Sequence, residues 1–202
     1  MEVANCIRSR SQAGVTLVEV LVTMVILAIG LLGLVALQAR VQVLQAEAYQ
    51  RAQALMLLKD MAGRIASNRN NAALYAAGTM PSEGVGAHMG PCDPPDAGTP
   101  RHEADIAEWC IALQGAAETL GPDDARVGAM VGGRGCVQDL DNGRFMVTVA
   151  WQGLAPISAP PASVTCGLVD GASAYDGGEG STCTDDLCRR VVTTIVRIPR
   201  LT

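Results

Sequence analysis

Aromatic side chains are scarce in this chain, with two Trp, three Tyr and one Phe in 202 residues. A large aromatic core is therefore excluded, although 49% of the residues are hydrophobic. Much of the apolar material is gathered in the first 65 residues, and the remainder is rich in Gly, Pro, Ala and Asp. A domain built from such a remainder buries little apolar area per residue, and domains poor in core need covalent staples.

Patterns for metal binding and catalysis are also missing. No Cys-x-x-Cys pair occurs, and the two histidines, His88 and His102, lack zinc-ligand spacing. A Ser-His-Asp arrangement would have to recruit one of those histidines, both in or beside a Pro/Gly-rich loop, and no nucleophile-elbow pattern accompanies them. Asp123 and Asp124 follow Gly-Pro and read as a solvated turn. "DLDNG" (Asp139 to Gly143) partly resembles a calcium loop. It lacks the third acid and the Glu at the twelfth position, and a hairpin turn explains the same residues. "TDD" (Thr184 to Asp186) has less support still. Trp109 and Trp151 read as core anchors, not binding platforms. Neither a catalytic residue, a metal nor a cofactor is expected.

Basic charge is in short supply as well. Formal net charge is −5, and loss of a leader holding Arg8, Arg10 and Glu2 would make it −6. No general attraction for nucleic acid follows, so direct nucleic-acid binding is not expected. Arg189, Arg190, Arg197 and Arg200 read as solvated strand ends.

What is present begins with cysteine. Cys6 precedes a long apolar run; Cys92, Cys110, Cys136, Cys166, Cys183 and Cys188 follow it. An even set in a loop-rich, exported domain reads as a disulfide framework. Sequence leaves the connectivity open; proximity along the chain favours Cys166 with Cys183 or Cys188, and Cys110 with Cys136.

The apolar run, Val15 to Leu37, follows a short polar segment, residues 1–14, that ends in Gly14. A secretory signal has the reverse order, with the apolar region before the cleavage site. At 1.5 Å per residue the run spans about 35 Å as a helix, enough to cross a bilayer. Arg8 and Arg10 ahead of it place the N-terminus in the cytoplasm and the rest outside. Glu19 lies inside this run, where a carboxylate at a membrane helix centre costs about 2.5–3.5 kcal/mol. Near the helix end, snorkelling limits that cost. Gly30 and Gly33 permit close helix approach.

Helical spacing continues past the membrane length. Leu37, Val41, Leu44, Ala48, Ala52, Leu55, Leu58, Ala62 and Ile65 recur at steps of three and four, with Glu47–Arg51 and Asp60–Arg64 as i,i+4 pairs. No proline occurs before Pro81. One helix is expected over 15–68, about 80 Å long, ending near "SNRNN"; residues 69–202 form the globular domain. The competing reading, a membrane anchor followed by a separate helix, needs a break that is not visible. Residues 78–100 read as loop. Residues 101–120 read as a second helix, with Ile106, Trp109, Cys110, Leu113, Ala117 and Leu120 on one face. Val127–Val131, "RFMVTVAWQ" (144–152) and "RRVVTTIVRI" (189–198) read as strands, with "DNG" as a tight turn. The fold class is α+β, a small antiparallel sheet packed on the amphipathic half of the long helix.

These features together resemble a type IV prepilin. "GVTLVE", Gly14 to Glu19, matches the class III signal, in which a basic leader ends in Gly and Glu is the fifth residue after it. That family usually has Phe where Val15 stands. The resemblance implies a prepilin peptidase cut between Gly14 and Val15 and N-methylation of Val15. It also implies that Glu19 pairs with the N-terminal amine of a neighbouring pilin and so sets axial register. Gly14 to Arg69, with "VTVAWQG" (147–153) more weakly, is similar to the PilV group of type IV pilus modification proteins, which are minor pilins. The lack of a proline in the membrane half also favours a minor over a major pilin.

The implied role is to initiate pilus assembly near the tip, first in the inner membrane with a periplasmic C-terminal domain and then in the extracellular pilus. The implied partners are the major pilin, other minor pilins, a tip adhesin and the inner-membrane assembly platform. A minor pseudopilin of a type II secretion system shares the signal and the helix. A membrane-tethered periplasmic binding module or enzyme would use the helix only as an anchor.

Overall fold

The computed structural model describes residues 14–115, 119–120, 125–126 and 130–199. Expectations for the leader, including Cys6, and for Ala117, Asp123, Asp124, 127–129 and Arg200 lie outside them. The chain divides into two compact units, residues 1–44 and 45–202.

Helix α1 runs from Leu17 to Ser67 without interruption, contributing its first part to one unit and its last part to the other. No proline interrupts it, in agreement with the sequence. In the second unit, a 3-10 turn at Arg69–Asn71 follows, then α2, Ala72–Gly78. Short strand β1 is Val85–Gly86 and helix α3 is Arg101–Leu113. Strands β2 (Thr119–Leu120) and β3 (Ala125–Arg126) pair with each other. The long strands are β4 (Arg134–Asp139), β5 (Arg144–Gln152) and β8 (Arg189–Arg197). Between the last two lies a hairpin of β6 (Leu168–Val169) and β7 (Ala172–Ser173).

The main sheet is antiparallel throughout in the order β1-β4-β5-β8. Asp141, Asn142 and Gly143 all have positive φ and join β4 to β5, the conformation that a tight Asn-Gly turn requires. Phe145, Val147, Val149 and Trp151 alternate along β5 into the core, where they meet Ala54, Leu58, Met61 and Ile65 of α1. The fold is thus the expected α+β arrangement of a type IV pilin: a long N-terminal helix, a small antiparallel sheet against its later part, and a disulfide-bonded loop region.

Several expectations about the elements need correction. The buried stripe of α1 is Gln50, Ala54, Leu58, Met61 and Ile65, whereas Ala48, Ala52 and Leu55 face solvent. This part of the helix is apolar on more than one face, so periodicity alone did not select the core side. Helix α3 stops at Leu113, short of 120; Gly115 has φ +88° and the next described residues, Thr119–Leu120, are strand. Left-handed backbone at Gly115 breaks the helix before the Gly-Pro that follows. Within 78–100, read as loop, Val85–Gly86 forms strand β1; residues 72–78, for which no element was expected, form α2. Of the expected strand 127–131, the described part, Met130 and Val131, lies outside any strand.

Trp109 donates from its indole N–H to the Leu57 carbonyl at 3.0 Å. Its ring lies on Gly135 of β4, where any Cβ would collide with it. That contact is possible only over glycine.

Asp105 is buried at 1% exposure beneath a polar network. It accepts from Arg64 at 2.9 Å and from the Tyr75 hydroxyl at 2.6 Å, and pairs with Arg101 at 3.1 Å. Arg64 also holds Asp60 and Glu108. Burial opposes the Arg64 charge, but the carboxylates of Glu108, Asp105 and Asp60 outweigh it and raise its pKa. Burial, then the bond to Asp105, pushes the Tyr75 hydroxyl up to about 12. The expected Asp60–Arg64 pair is present at 2.9 Å. Glu47, in contrast, reaches the Leu154 N–H at 3.1 Å and Arg190 at 3.7 Å instead of Arg51.

The six cysteines pair as Cys92–Cys110, Cys136–Cys166 and Cys183–Cys188. This corrects the pairing favoured by chain proximity. Cys110 lies on α3 and faces the loop carrying Cys92, while Cys136 on β4 meets Cys166 across the loop that covers the sheet. Arg189 is no solvated strand end: it is 2% exposed. It donates to Asp186 at 2.7 Å and to the carbonyls of Val164 and Cys166 at 2.8 and 2.9 Å. Burial alone would raise the Asp186 carboxyl, but the bonds from Arg189 and Ser173 hold it below its ordinary value.

Candidate processing and assembly site

Gly14, Val15 and Thr16 precede the first turn of α1 and are exposed, Val15 to 70%. A peptidase that cuts between Gly14 and Val15 needs an accessible, extended bond, and this segment lies outside the helix.

Thr16 is the N-cap. Its Oγ1 accepts from the Glu19 N–H at 3.3 Å, and its carbonyl accepts from the Glu19 and Val20 N–H groups at 3.0 and 3.3 Å. Thr16 and Glu19 stand at the spacing of a capping box, Thr-x-x-Glu. The sequence reading missed this, although the signal was present in "TLVE". Capping fixes where the helix starts, with the cap one residue after Val15 and the first helical residue, Leu17, two after it. It also places the Glu19 carboxylate in the first turn, where the positive end of the helix dipole favours an anion.

Cleavage after Gly14 would create an ammonium at Val15 at the same end. The dipole disfavours that positive charge, so the amine gains from a carboxylate close by. Gly14, Val15, Thr16 and Glu19 thus lie within one turn of the helix start, with a cap at Thr16 and an acid at Glu19.

From Val20 to Leu37 the helix carries no charged residue, and Thr23 is its one hydroxyl side chain. Leu17, Leu21, Met24, Ile26, Leu32 and Leu37 are all exposed, and none of this apolar stretch is buried. A length and composition sufficient to cross a membrane are present. A Cβ added at Gly30 or Gly33 would meet nothing within 4 Å, so the helix surface there is open to close approach.

The remaining candidates are not assembled into a site. His88 is lowered in pKa by burial and then by Arg134, while His102 lies edge-on to Tyr75 at 6.2 Å and 3.8 Å from Glu103. Asp139 accepts from the Asp141 N–H at 2.8 Å and so serves the hairpin turn. Asp186 is engaged by Arg189. Trp109 and Trp151 are buried in the core. Among the described residues, no group of three or more His, Cys, Asp or Glu side chains gathers as metal ligands would.

No curated protein and no solved structure shows a match to the chain. Residues 9–35 match the model of the prokaryotic N-terminal methylation motif, a segment containing Gly14, Val15, Thr16 and Glu19. That motif is typical of type IV pilin-like prepilins, and with the apolar helix behind it fits a single-pass, membrane-anchored protein of the pilin or pseudopilin kind.

Proposed function

We propose that the chain is a minor pilin of the PilV kind, a structural and non-enzymatic subunit that helps to initiate type IV pilus assembly with other minor pilins near the tip. Prepilin peptidase cuts between Gly14 and Val15 and methylates the Val15 amine. The chain waits in the inner membrane with its C-terminal domain in the periplasm. On assembly with the major pilin, sibling minor pilins and a tip adhesin at the assembly platform, the apolar helix leaves lipid for the filament core. A buried carboxylate then requires a partner. The methylated amine of a neighbouring subunit supplies it, and pairing the two charges fixes one axial offset.

The observation that carries this reading is the methylation motif over residues 9–35, centred on a capped helix start with Glu19 in its first turn. Its test is mass spectrometry of the mature N-terminus after expression with a prepilin peptidase. The expected species begins at N-methyl-Val15. An intact Met1, or a cut elsewhere, overturns it. Loss of surface pili on deletion, with exoprotein release intact, distinguishes a pilus subunit from a secretion pseudopilin.

A further inference from the structure

Strand β8 forms one edge of the main sheet, and among the described residues nothing pairs with its outer side. The ladder fixes which groups are left over. Ile198 donates to Gly143 and Gly153 donates to Cys188, so the even-numbered residues of β8 direct their backbone groups towards β5. Val191, Thr193, Ile195 and Arg197 therefore present N–H and C=O groups outwards. The opposite edge is only the two-residue β1, so β8 is the long open edge of this sheet. Such an edge is a template for another strand.

Charge selects the kind of strand. Strand β8 carries Arg189, Arg190 and Arg197 and no acid, in a chain of net charge −5. Arg189 is neutralised by Asp186, and Arg190 lies 3.7 Å from Glu47. Arg197 is exposed and stands directly across from exposed Arg144 on β5; among the described residues neither has an ion pair. Like charges in this position repel each other, and an acid added beside them relieves the repulsion. Next along the same face, Ile195 is 49% exposed.

A second copy of the chain is a poor occupant. Antiparallel self-pairing centred on Thr193 supplies no acid, because β8 holds none, and so leaves the Arg144–Arg197 sets of both copies without a counter-charge.

We infer that the outer edge of β8 docks an extended segment of a different protein, antiparallel, with apolar or β-branched residues against Ile195 and an acidic residue against Arg197 and Arg144. Backbone pairing supplies affinity and the acid supplies register and partner choice. Docking at this edge is independent of cleavage after Gly14, and failure of one leaves the other standing.

The test uses the full chain in detergent with its disulfides intact. The probe is a fluorescein-labelled peptide of alternating Val and Thr with two glutamates at its N-terminal end; a control carries lysines in their place. The glutamate peptide is expected to bind about tenfold or more tightly than the lysine peptide. Arg197→Glu leaves Arg144 facing a new acid and should remove that preference, and the double change Arg144→Glu, Arg197→Glu should reverse it. Ile195→Pro removes an outward N–H without touching the β5 ladder and should abolish binding of the glutamate peptide. Disulfide content and far-UV circular dichroism report whether that variant folds; if it does not, the reversal by the double change at Arg144 and Arg197 decides alone. No binding of the glutamate peptide by the unmodified chain, equal binding of both peptides, or self-association that the glutamate peptide does not compete away overturns the inference.

Discussion

The Arg64 guanidinium on α1 donates to the buried Asp105 carboxylate on α3 at 2.9 Å. That bond joins the last turns of the long helix to the domain that it supports. Tyr75 of α2 donates to the other oxygen of the same carboxylate, so three helices converge on one charge.

Replacing Arg64 by Ala strands part of this network. Asp105 keeps Tyr75 and Arg101 but loses its nearest cation. Removing one partner of a buried pair costs about 3–5 kcal/mol. Arg64 is 21% exposed and Arg101 remains in reach, so a loss of about 2 kcal/mol is expected. Thermal denaturation of the oxidised protein measures it. An unchanged midpoint would show that the network contributes geometry and not stability.

A second prediction concerns acid. Asp186 has its folded pKa lowered below the ordinary 3.8 by Arg189 and Ser173, although burial pulls the other way. A depressed carboxyl contributes stability that is complete above its unfolded pKa and is lost as pH falls through its folded pKa. Unfolding free energy should therefore drop below about pH 4, and Asp186→Asn should flatten that drop while lowering stability at neutral pH. Denaturant titrations of both proteins across the acid range compare them directly.

The disulfides make a graded prediction. Chain-entropy stabilisation grows with the enclosed loop, and the separations are 30 residues for Cys136–Cys166, 18 for Cys92–Cys110 and 5 for Cys183–Cys188. Paired Cys→Ser changes should cost about 3–4, 3 and 2 kcal/mol in that order. Peptide mapping without reduction should return the same three pairs. A Cys110–Cys136 or Cys166–Cys183 peptide would contradict the fold described above.

Much of the domain was legible in the sequence because each signal was local. "DNG" marks the β4–β5 turn, and strict alternation marks β5, which spans Arg144–Gln152 as read. The missing prolines announced an uninterrupted α1. What escaped depends on tertiary contact. Leu55 and Ala54 are equally acceptable at a core position, and only the sheet decides that Ala54 is the buried one. Cysteine pairing likewise depends on which loop crosses which strand. Arg189 sits in a strand-end sequence that looks solvated until the Cys166 loop closes over it. The Thr16 cap is different, because its spacing was visible and went unread.

The last prediction separates two tasks that converge on Glu19. At the capping-box spacing from Thr16 it suits the helix start, a place that Gln also fills. As a buried anion it pairs with a neighbour's amine in the proposed filament, a role that needs charge. Glu19→Gln should therefore leave the helix and the cut after Gly14 intact yet block incorporation into pili. Glu19→Ala should block incorporation too, since it removes the same charge. Thr16→Ala removes only the cap, at about 1 kcal/mol, and should be incorporated with little loss. Immunoblots of sheared pili against membrane fractions, with N-terminal mass confirming the cut, distinguish the three. Normal incorporation of Glu19→Gln would mean that the carboxylate serves the helix start alone, and the register account would fall.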